Sequence, residues 1–448
     1  MQAVILAGGK GTRLGRSSQT TPKPLIKIGG KPIIEHQILL LRQYGIKNIW
    51  ILSGYLGWQI KNYCGDGKRW QVKIHQLIES EPLGTAGAIK TLEGRINDVF
   101  LVLSGDVVCN FNIKSLITFH KKHKGSLATI VVHANDHPYD SDLIEIDNNN
   151  RVTSILLRKD KRHPKNLLFR NITNSGIFIF SEKIFRCIQK NNKCDLEKDI
   201  LPQALKFGEA IFAYNTPEYI KDLGTPKRLL QIRKDYKLGN IQLKNLENKQ
   251  KAIFLDRDGT LNQQDGVHDT RAPHFKLFSF TAKAIKKINQ AGYLAIVVTN
   301  QPAIAKGVIS EDESALIFKK LEKELGWQGA KIDAIYVCPH HPESGFKGEL
   351  PFLKIKCSCR KPKIGLIKRA VRDFNTDLTS SFFIGDSTVD AKTAKNAGIK
   401  FVGVETGYGL KDGKFPIPKN ITMKRNLNDA VNYVLSLAYF SSINSKTI

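Results

Sequence analysis

Asp256 and Asp258, two residues apart in F-L-D-R-D-G-T (Phe254–Thr260), limit what this chain can fold into more than any other feature. They follow the apolar run Ala252–Leu255, which reads as a buried strand. Two carboxylates at the end of such a strand are costly to desolvate unless something uses them. In open α/β sheets ligands bind at the carboxyl ends of strands, and side chains alternate along an extended chain. Asp256 and Asp258 are therefore placed to face one site with Arg257 turned away, while Gly259 allows a sharp bend. Taken alone, these residues also fit a plain strand-end turn, D-G being a common turn dipeptide.

The downstream sequence separates the two readings. Tyr293–Val298 is a second apolar strand that ends in T-N-Q (Thr299–Gln301), where a hydroxyl and an amide can hydrogen-bond a phosphoryl oxygen. Ser381–Ile384 leads into G-D-S-T-V-D (Gly385–Asp390) and puts Asp386 at a further strand end; the basic C-R-K-P-K (Cys359–Lys363) lies between. Any one of these fits a strand-end cap. Together they supply carboxylates for Mg²⁺, a nucleophile and a cation for a transferred phosphate.

Of the seven cysteines, Cys64, Cys109, Cys187 and Cys194 are scattered, whereas Cys338, Cys357 and Cys359 cluster. That pattern argues against a disulfide framework and for a metal site. C-P-H-H-P followed by C-S-C offers three thiolates and one imidazole, the closed tetrahedral set of a structural Zn²⁺. The expected ligands are Cys338, His340, Cys357 and Cys359, because adjacent His340 and His341 rarely serve one ion; reduced, unliganded cysteines are the alternative.

This order of motifs resembles the haloacid dehalogenase superfamily of aspartyl phosphatases. The resemblance implies that Asp256 attacks phosphorus and that Asp258 protonates the leaving alkoxide and later activates water. It implies that Thr299 and Asn300 hold the phosphoryl group, that Lys361 neutralises it, and that Asp386 joins Asp256 and Asp258 around Mg²⁺. With R-K-P directly after Cys359, residues 251–410 look most like the zinc-containing heptose bisphosphate phosphatases and the related histidinol phosphatases, with Arg360 and Lys361 meeting the substrate's phosphates. Two departures are K-I-G after Pro362, where K-P-G is usual, and Ser387, where the heptose enzymes often have Lys.

The first half also opens on a buried strand, Ala3–Leu6, followed by A-G-G-K-G-T-R-L (Ala7–Leu14). Three glycines in five positions let backbone N–H groups converge on an anion, and Lys10 and Arg13 add charge; a strand-to-helix turn is the bland reading. Prolines on both sides restrain Lys23 in T-P-K-P-L. Ile33–Tyr44 reads as a helix and Asn48–Leu52, Val72–Leu77 and Val99–Ser104 as strands, a β/α alternation that predicts a mostly parallel, doubly wound sheet. Gly84 and Thr85 open a small-residue helix start suited to a flat base or ribose. Asp106 after the Val99–Ser104 strand and Asp222 in D-L-G-T-P are candidate Mg²⁺ ligands.

L-A-G-G-K-G-T-R-L, P-K-P-L, P-L-G-T-A-G-A, S-G-D, N-S-G-I-F, L-E-K-D-I-L-P and D-L-G-T-P, in this order, resemble the sugar-1-phosphate nucleotidyltransferases, closest to the branch using GTP with mannose or heptose 1-phosphate. The resemblance implies a nucleotide site at Leu6, Ala7, Gly8, Gly9, Gly11, Thr12, Gly84 and Thr85. Arg13 and Lys23 would polarise the triphosphate, Asp106 and Asp222 would hold Mg²⁺, and Asn174 and Glu197 would contact the sugar. Where the family usually has an E-K pair at the sugar phosphate this chain has L-L-R-K-D, which leaves Lys159 or Arg158 to supply the charge.

At 448 residues the chain exceeds one ordinary core. The polar stretch after residue 227 puts a boundary near 240, predicting an α/β chain of two doubly wound, Rossmann-like domains, 1–238 and 250–440. No run approaches the roughly 20 apolar residues of a membrane span, and a cytoplasmic location is expected. The net charge of +28 is spread over both halves, which fits phosphate-bearing small substrates better than nucleic acid. A phosphatase acting on heptose 1,7-bisphosphate makes the heptose 1-phosphate that a nucleotidyltransferase consumes, so the expected whole is a bifunctional enzyme forming a GDP-heptose for lipopolysaccharide-type surface polysaccharide, with Mg²⁺ in both domains and Zn²⁺ in the second. The alternatives are a mannose-1-phosphate guanylyltransferase fused to another sugar phosphatase, or a regulatory nucleotide-binding module on a working phosphatase.

Overall fold

The structure is a computed structural model that describes residues 1–9, 11, 20–158, 167–264 and 271–444, with side chains through 437. The chain divides into two compact units. The first comprises Met1–His133, Asp142–Asp160 and Ile172–Glu247; the second comprises Ala134–Ser141, Lys161–Asn171 and Asn248–Ile448.

The first unit begins with β1 (Gln2–Ala7), the hairpin β2 (Lys27–Ile28) and β3 (Lys31–Pro32), helix α1 (Ile33–Gln43), β4 (Asn48–Ser53), α2 (Gly57–Cys64), β5 (Lys73–Ile78) and α3 (Gly84–Lys90). Then come β6 (Phe100–Ser104), β7 (Val107–Asn110), α4 (Ile113–Lys122), β8 (Ala128–Ala134), β9 (Leu143–Ile146), β10 (Val152–Leu156) and β11 (Ile172–Phe180). It closes with α5 (Leu201–Lys206), β12 (Ile211–Asn215), β13 (Tyr219–Asp222), α6 (Pro226–Lys237) and α7 (Asn240–Leu243). Strands β5-β4-β1-β6 pair in parallel, as the β/α alternation predicts, but β11 joins β6 antiparallel and carries antiparallel β9 and β10 beyond it. The sheet is therefore mixed. Val4, Ile5, Leu101 and Val102 are fully buried, consistent with parallel strands covered on both faces.

The second unit is parallel throughout its sheet: β14 (Ala252–Leu255), β15 (Leu294–Asn300), β16 (Ala334–Cys338), β17 (Phe382–Gly385), β18 (Lys400–Val404) and β19 (Thr422–Lys424) in the order β16-β15-β14-β17-β18-β19. Counted within the unit this is 3-2-1-4-5-6, the doubly wound order in which ligands bind where the winding reverses. The reversal falls between β14 and β17, so the chain ends after Leu255 and Gly385 meet there. Helices α8 (Thr281–Gln290), α9 (Pro302–Ala305), α10 (Glu311–Trp327), α11 (Gly365–Phe374), α12 (Thr388–Ala397) and α13 (Leu427–Asn444) complete the unit. Ala284, Ile285 and Ile288 make one fully buried face of α8, a spacing that puts them side by side on a helix. All four residues of β14 are 0% exposed, and burying Phe254 alone contributes about 1.5–3 kcal/mol.

Candidate active sites and metal centre

In the second unit the reversal point gathers three carboxylates. Asp256 leaves β14 and Asp386 leaves β17; with Asp390 on the first turn of α12 they place one oxygen each within 4.8 Å of one another. Lys361 Nζ lies 2.9 Å from Asp256 and 2.6 Å from Asp390, with its side chain 3% exposed. Asp390 does two jobs. Its Oδ1 accepts from Lys361, and its Oδ2 accepts the Ser387 backbone N–H at 3.2 Å, completing a capping box at the start of α12, as well as the Ser387 hydroxyl at 2.6 Å. Ser387, a departure from the heptose enzymes in sequence, is thus the N-cap here. Gly259 and Gly407 leave room beside Asp386: a Cβ on either would fall 2.3 or 2.1 Å from its Oδ2, which instead accepts the Tyr408 N–H at 2.8 Å.

Crowding sets the electrostatics. Burial first, and Asp390 next, raise Asp256 well above the ordinary carboxylate range, against the pull of Lys361. The same two causes push Asp386 up to about 7. Burial opposes charge on Lys361, but Asp256 and Asp390 outweigh it and keep the ammonium protonated. Three hard oxygen donors with one cation among them suit a divalent ion such as Mg²⁺.

Asp258, expected both as acid/base and among the Mg²⁺ carboxylates, is held apart from that trio. Arg257 Nη2 donates to both of its oxygens at 2.8 Å, Gln301 Nε2 donates at 2.9 Å and Asn262 Nδ2 at 3.1 Å. Burial alone would raise Asp258; Arg257, Gln301 and Asn262 outweigh it and lower its pKa. Arg257, expected to turn away from the site, is buried and folds back onto its neighbour. Thr299 Oγ1 accepts from Gln301 at 2.8 Å. Asn300 clasps the Lys361 backbone, accepting its N–H at 2.9 Å and donating to its carbonyl at 3.1 Å.

The four expected zinc ligands converge. Cys359 Sγ is 3.2 Å from the sulfurs of both Cys338 and Cys357 and 3.2 Å from His340 Nδ1, and Cys338 Sγ is 3.6 Å from Cys357 Sγ and from His340 Nδ1. These separations are too long for a disulfide and fit four atoms ready to surround one ion of zinc size. Arg360, next after Cys359, donates its N–H to Cys357 Sγ at 3.3 Å and its Nη1 to the His340 carbonyl at 3.1 Å. The loop therefore fixes the two residues that lead into Lys361. His341 faces away, its ring edge-on to Phe346.

In the first unit β1 delivers Leu6, Ala7, Gly8 and Gly9 to the carboxyl edge, where the Leu6 carbonyl accepts from Gly105 N–H at 2.8 Å. Thr12 and Arg13 lie outside the described residues, as does Lys159; Gly11 has φ 68°. Lys23 is 9% exposed and its Nζ pairs with Asp106 at 2.6 Å. The register of β13 against β7 puts Asp222 opposite Val107, and Leu223 N–H donates to the Asp106 carbonyl at 2.8 Å, so the two expected metal carboxylates come from neighbouring chain ends. Arg228 Nη1 donates to both oxygens of Asp222 at 2.8 Å.

Gly84 and Thr85 bind the start of α3 to the chain near residue 195: the Thr85 hydroxyl donates to Asp195 at 3.2 Å and accepts the Leu196 N–H at 2.8 Å. A Cβ at Gly84, whose φ is +74°, would meet the Cys194 carbonyl at 2.4 Å. Asn174 on β11 accepts the Gly176 N–H at 3.0 Å and lies beside Glu197, whose charged form it favours. Glu197 is raised to about 7, by burial first and then by Asp195. Glu79, which sequence reasoning passed over, stands beside the glycine loop, its carboxylate 3.6 Å from where a Cβ on Gly8 would be. It accepts the Leu83 N–H at 3.2 Å, and burial raises its pKa.

Comparison with known proteins follows the same division. The nucleotidyl transferase family profile matches residues 2–238 and a HAD-hydrolase-like profile matches residues 358–420. D-glycero-beta-D-manno-heptose-1,7-bisphosphate 7-phosphatase of Haemophilus ducreyi is 41% identical over 167 residues, covering 36% of this chain and 86% of that protein. Mannose-1-phosphate guanyltransferase of Aspergillus oryzae is 34% identical over 238 residues, 51% of this chain; the match spans 62% of that protein's length. The solved structure of HddC from Yersinia pseudotuberculosis complexed with GMP-PN is 30% identical, covers 52% of this chain and 99% of that one, and superposes with a TM-score of 0.45. The chain thus belongs, through its first half, to the nucleotidyl transferase family and, through its second, to the HAD-like family of the heptose-bisphosphate phosphatases, and it carries one enzyme domain of each kind.

Proposed function

We propose that the chain is a bifunctional enzyme of nucleotide-activated heptose synthesis, which removes the C7 phosphate of D-glycero-D-manno-heptose 1,7-bisphosphate and transfers a nucleotidyl group, GMP from GTP, to the resulting heptose 1-phosphate. The observation that carries the reading is Lys361 set among Asp256, Asp386 and Asp390 and tied through Arg360 to the Cys3His cluster. The identity to a heptose bisphosphatase over most of that enzyme's length supports the sugar.

In the phosphatase, Asp256 attacks the 7-phosphorus and the sugar leaves as an alkoxide that takes a proton from Asp258; Arg257, which favours the Asp258 carboxylate, has to release it for that proton to be carried. Asp258 then takes a proton from water as the water attacks the aspartyl-phosphate, releasing inorganic phosphate and restoring Asp256. Lys361 neutralises charge on the transferring group, while Thr299 and Asn300 are positioned at the strand end to orient it. Asp256, Asp386 and Asp390 would hold Mg²⁺, which when bound offsets the charge of the phosphoryl oxygens. Cys338, His340, Cys357 and Cys359 would hold a structural Zn²⁺; such a site contributes on the order of 10 kcal/mol to folding.

In the transferase, an oxygen of the sugar 1-phosphate attacks the α-phosphorus and pyrophosphate leaves, so positioning and charge neutralisation supply the catalysis. Lys23 and Arg13 serve the triphosphate, Asp106 and Asp222 would hold Mg²⁺, and Asn174 and Glu197 face the sugar. Glu79 beside Gly8 fits the paired N–H donors on one edge of guanine, which favours GTP. The same chemistry with mannose 1-phosphate is the second reading, favoured by the guanyltransferase relative. The test supplies heptose 1,7-bisphosphate and GTP to the full chain and identifies the nucleotide sugar by mass. GDP-heptose with phosphate and pyrophosphate release is expected. Product from mannose 1-phosphate alone selects the second reading, and no pyrophosphate with either sugar removes the transferase assignment.

A further inference from the structure

Arg228 stands at the third residue of α6 and bends back over the D-L-G-T-P turn onto Asp222. A single nitrogen, Nη1, donates to both carboxylate oxygens at 2.8 Å, the two atoms Asp222 has to offer a metal ion. Gly224 makes the arrangement possible. A Cβ there would lie 2.5 Å from Asp222 Oδ2 and 2.8 Å from Arg228 Nη1, so any side chain at this position pushes the pair apart. Across the β7/β13 ladder Asp106 has its own cation, Lys23, at 2.6 Å. Two carboxylates are thus matched by two cations. A dication added alone would leave this set of four groups with two surplus positive charges at close range, which is unfavourable. A dication arriving with a nucleoside triphosphate brings its own anions, and the displaced cations acquire phosphate oxygens as partners.

We propose that Arg228 is a phosphate-binding residue of the transferase site that Asp222 stores in the metal-free enzyme: loading of Mg²⁺ on Asp222 releases the guanidinium to the nucleotide's phosphates. This rests on the reading of Asp222 as a metal ligand. It makes Arg228 and the metal alternative occupants of the same two oxygens, so that the site fills with metal and nucleotide together. Arg228, unlike Lys, offers a planar set of donors suited to phosphate. The storage contact is half-exposed, with side-chain exposures of 23% for Arg228 and 41% for Asp222, a setting in which an ion pair holds only weakly and is readily exchanged.

The experiment is fluorescence-anisotropy titration of mant-GTP into the full chain, in Mg²⁺ and in EDTA, for the wild type, Arg228→Ala, Arg228→Lys and Gly224→Ala. In Mg²⁺, Arg228→Ala binds about 10- to 100-fold more weakly, the loss expected for one charge-assisted hydrogen bond, with Arg228→Lys between it and the wild type. In EDTA the same substitution costs up to about 5-fold less than it does in Mg²⁺, because reaching phosphate then means giving up the contact with Asp222. Gly224→Ala, which keeps the guanidinium but displaces it from Asp222, binds mant-GTP more tightly than the wild type in EDTA. An equal loss in both buffers for Arg228→Ala, or an unchanged EDTA affinity for Gly224→Ala, overturns the stored-arginine inference while leaving the transferase reading intact. A wild type whose mant-GTP affinity is the same in Mg²⁺ and EDTA overturns both.

Discussion

Replacing Lys361 with Met keeps an unbranched side chain one atom shorter and removes the ammonium from among three buried carboxylates. Nζ is 2.9 Å from Asp256 and 2.6 Å from Asp390. At an effective dielectric of about 20 each contact is worth about 6 kcal/mol of gross attraction, most of it offset by desolvating the charges. What remains after substitution is a set of carboxylates with no buried counter-charge, and breaking a buried pair in this way costs about 3–5 kcal/mol. The unfolding free energy of the second unit should fall by that amount at pH 8 without added Mg²⁺.

The defect has a pH signature. Burial and Asp390 raise Asp256 well above 3.8 and Asp386 to about 7. A carboxylate raised by folding binds more protons folded than unfolded between its ordinary and raised pKa, so stability falls as pH rises through that window. Loss of Lys361 removes an attractive neighbour and raises Asp256 and Asp386 further, so protonation relieves the variant at pH 5 but not at pH 8. Trp50, Trp58 and Trp70 lie in the first unit and Trp327 in the second, so urea unfolding followed by ¹⁹F NMR of 5-fluorotryptophan at Trp327 reads the second unit. A defect under about 1 kcal/mol at pH 8, or one equally large at pH 5, refutes the argument that Lys361 compensates this trio.

Metal analysis should find about one Zn per chain, lost together with cooperative unfolding of the second unit when Cys357 and Cys359 are both replaced by Ser; retained zinc would place the ion elsewhere. Asp256→Asn should abolish phosphate release while leaving pyrophosphate release from the first unit unchanged, and residual phosphatase turnover would assign the nucleophile to another group. Mg²⁺ should raise the melting temperature of the second unit more at pH 8 than at pH 5, since protons and the cation compete for Asp256 and Asp386; equal shifts would count against that ligand set. Glu197 is raised from 4.5 to about 7, so its contribution to stability is present at acid pH and declines as pH rises through 7. Glu197→Gln should accordingly stabilise the first unit at pH 8 and leave it nearly unchanged at pH 4, as scanning calorimetry at the two pH values can check.

The strands that deliver the sites were readable because they are short apolar runs that end in glycine or carboxylate. Ala252–Leu255 is β14 to the residue, and the run at Ser381–Ile384 differs from β17 by one residue at each end. The Cys3His set was readable from spacing, since two close pairs separated by a loop leave few ways to satisfy three thiolates. Fold class followed from β/α alternation, yet the antiparallel addition of β11, β9 and β10 did not, because the order in which strands pair is a long-range property.

What folding alone decided is who neutralises whom. Asp390 was visible as the fourth residue after Asp386 in G-D-S-T-V-D, and S-x-x-D there is a capping-box pattern that points its carboxylate back toward the strand end. Its partnership with Lys361, 29 residues away in sequence, depends on how α12 sits against β14 and β17. Arg257 joining Asp258, Glu79 standing beside Gly8, and Gly224 admitting Arg228 to Asp222 have the same character. Composition and spacing identify which groups carry charge. Burial and register decide which charges meet, and in a desolvated site a difference of an ångström determines whether a carboxylate is a metal ligand, a proton donor or one half of an ion pair.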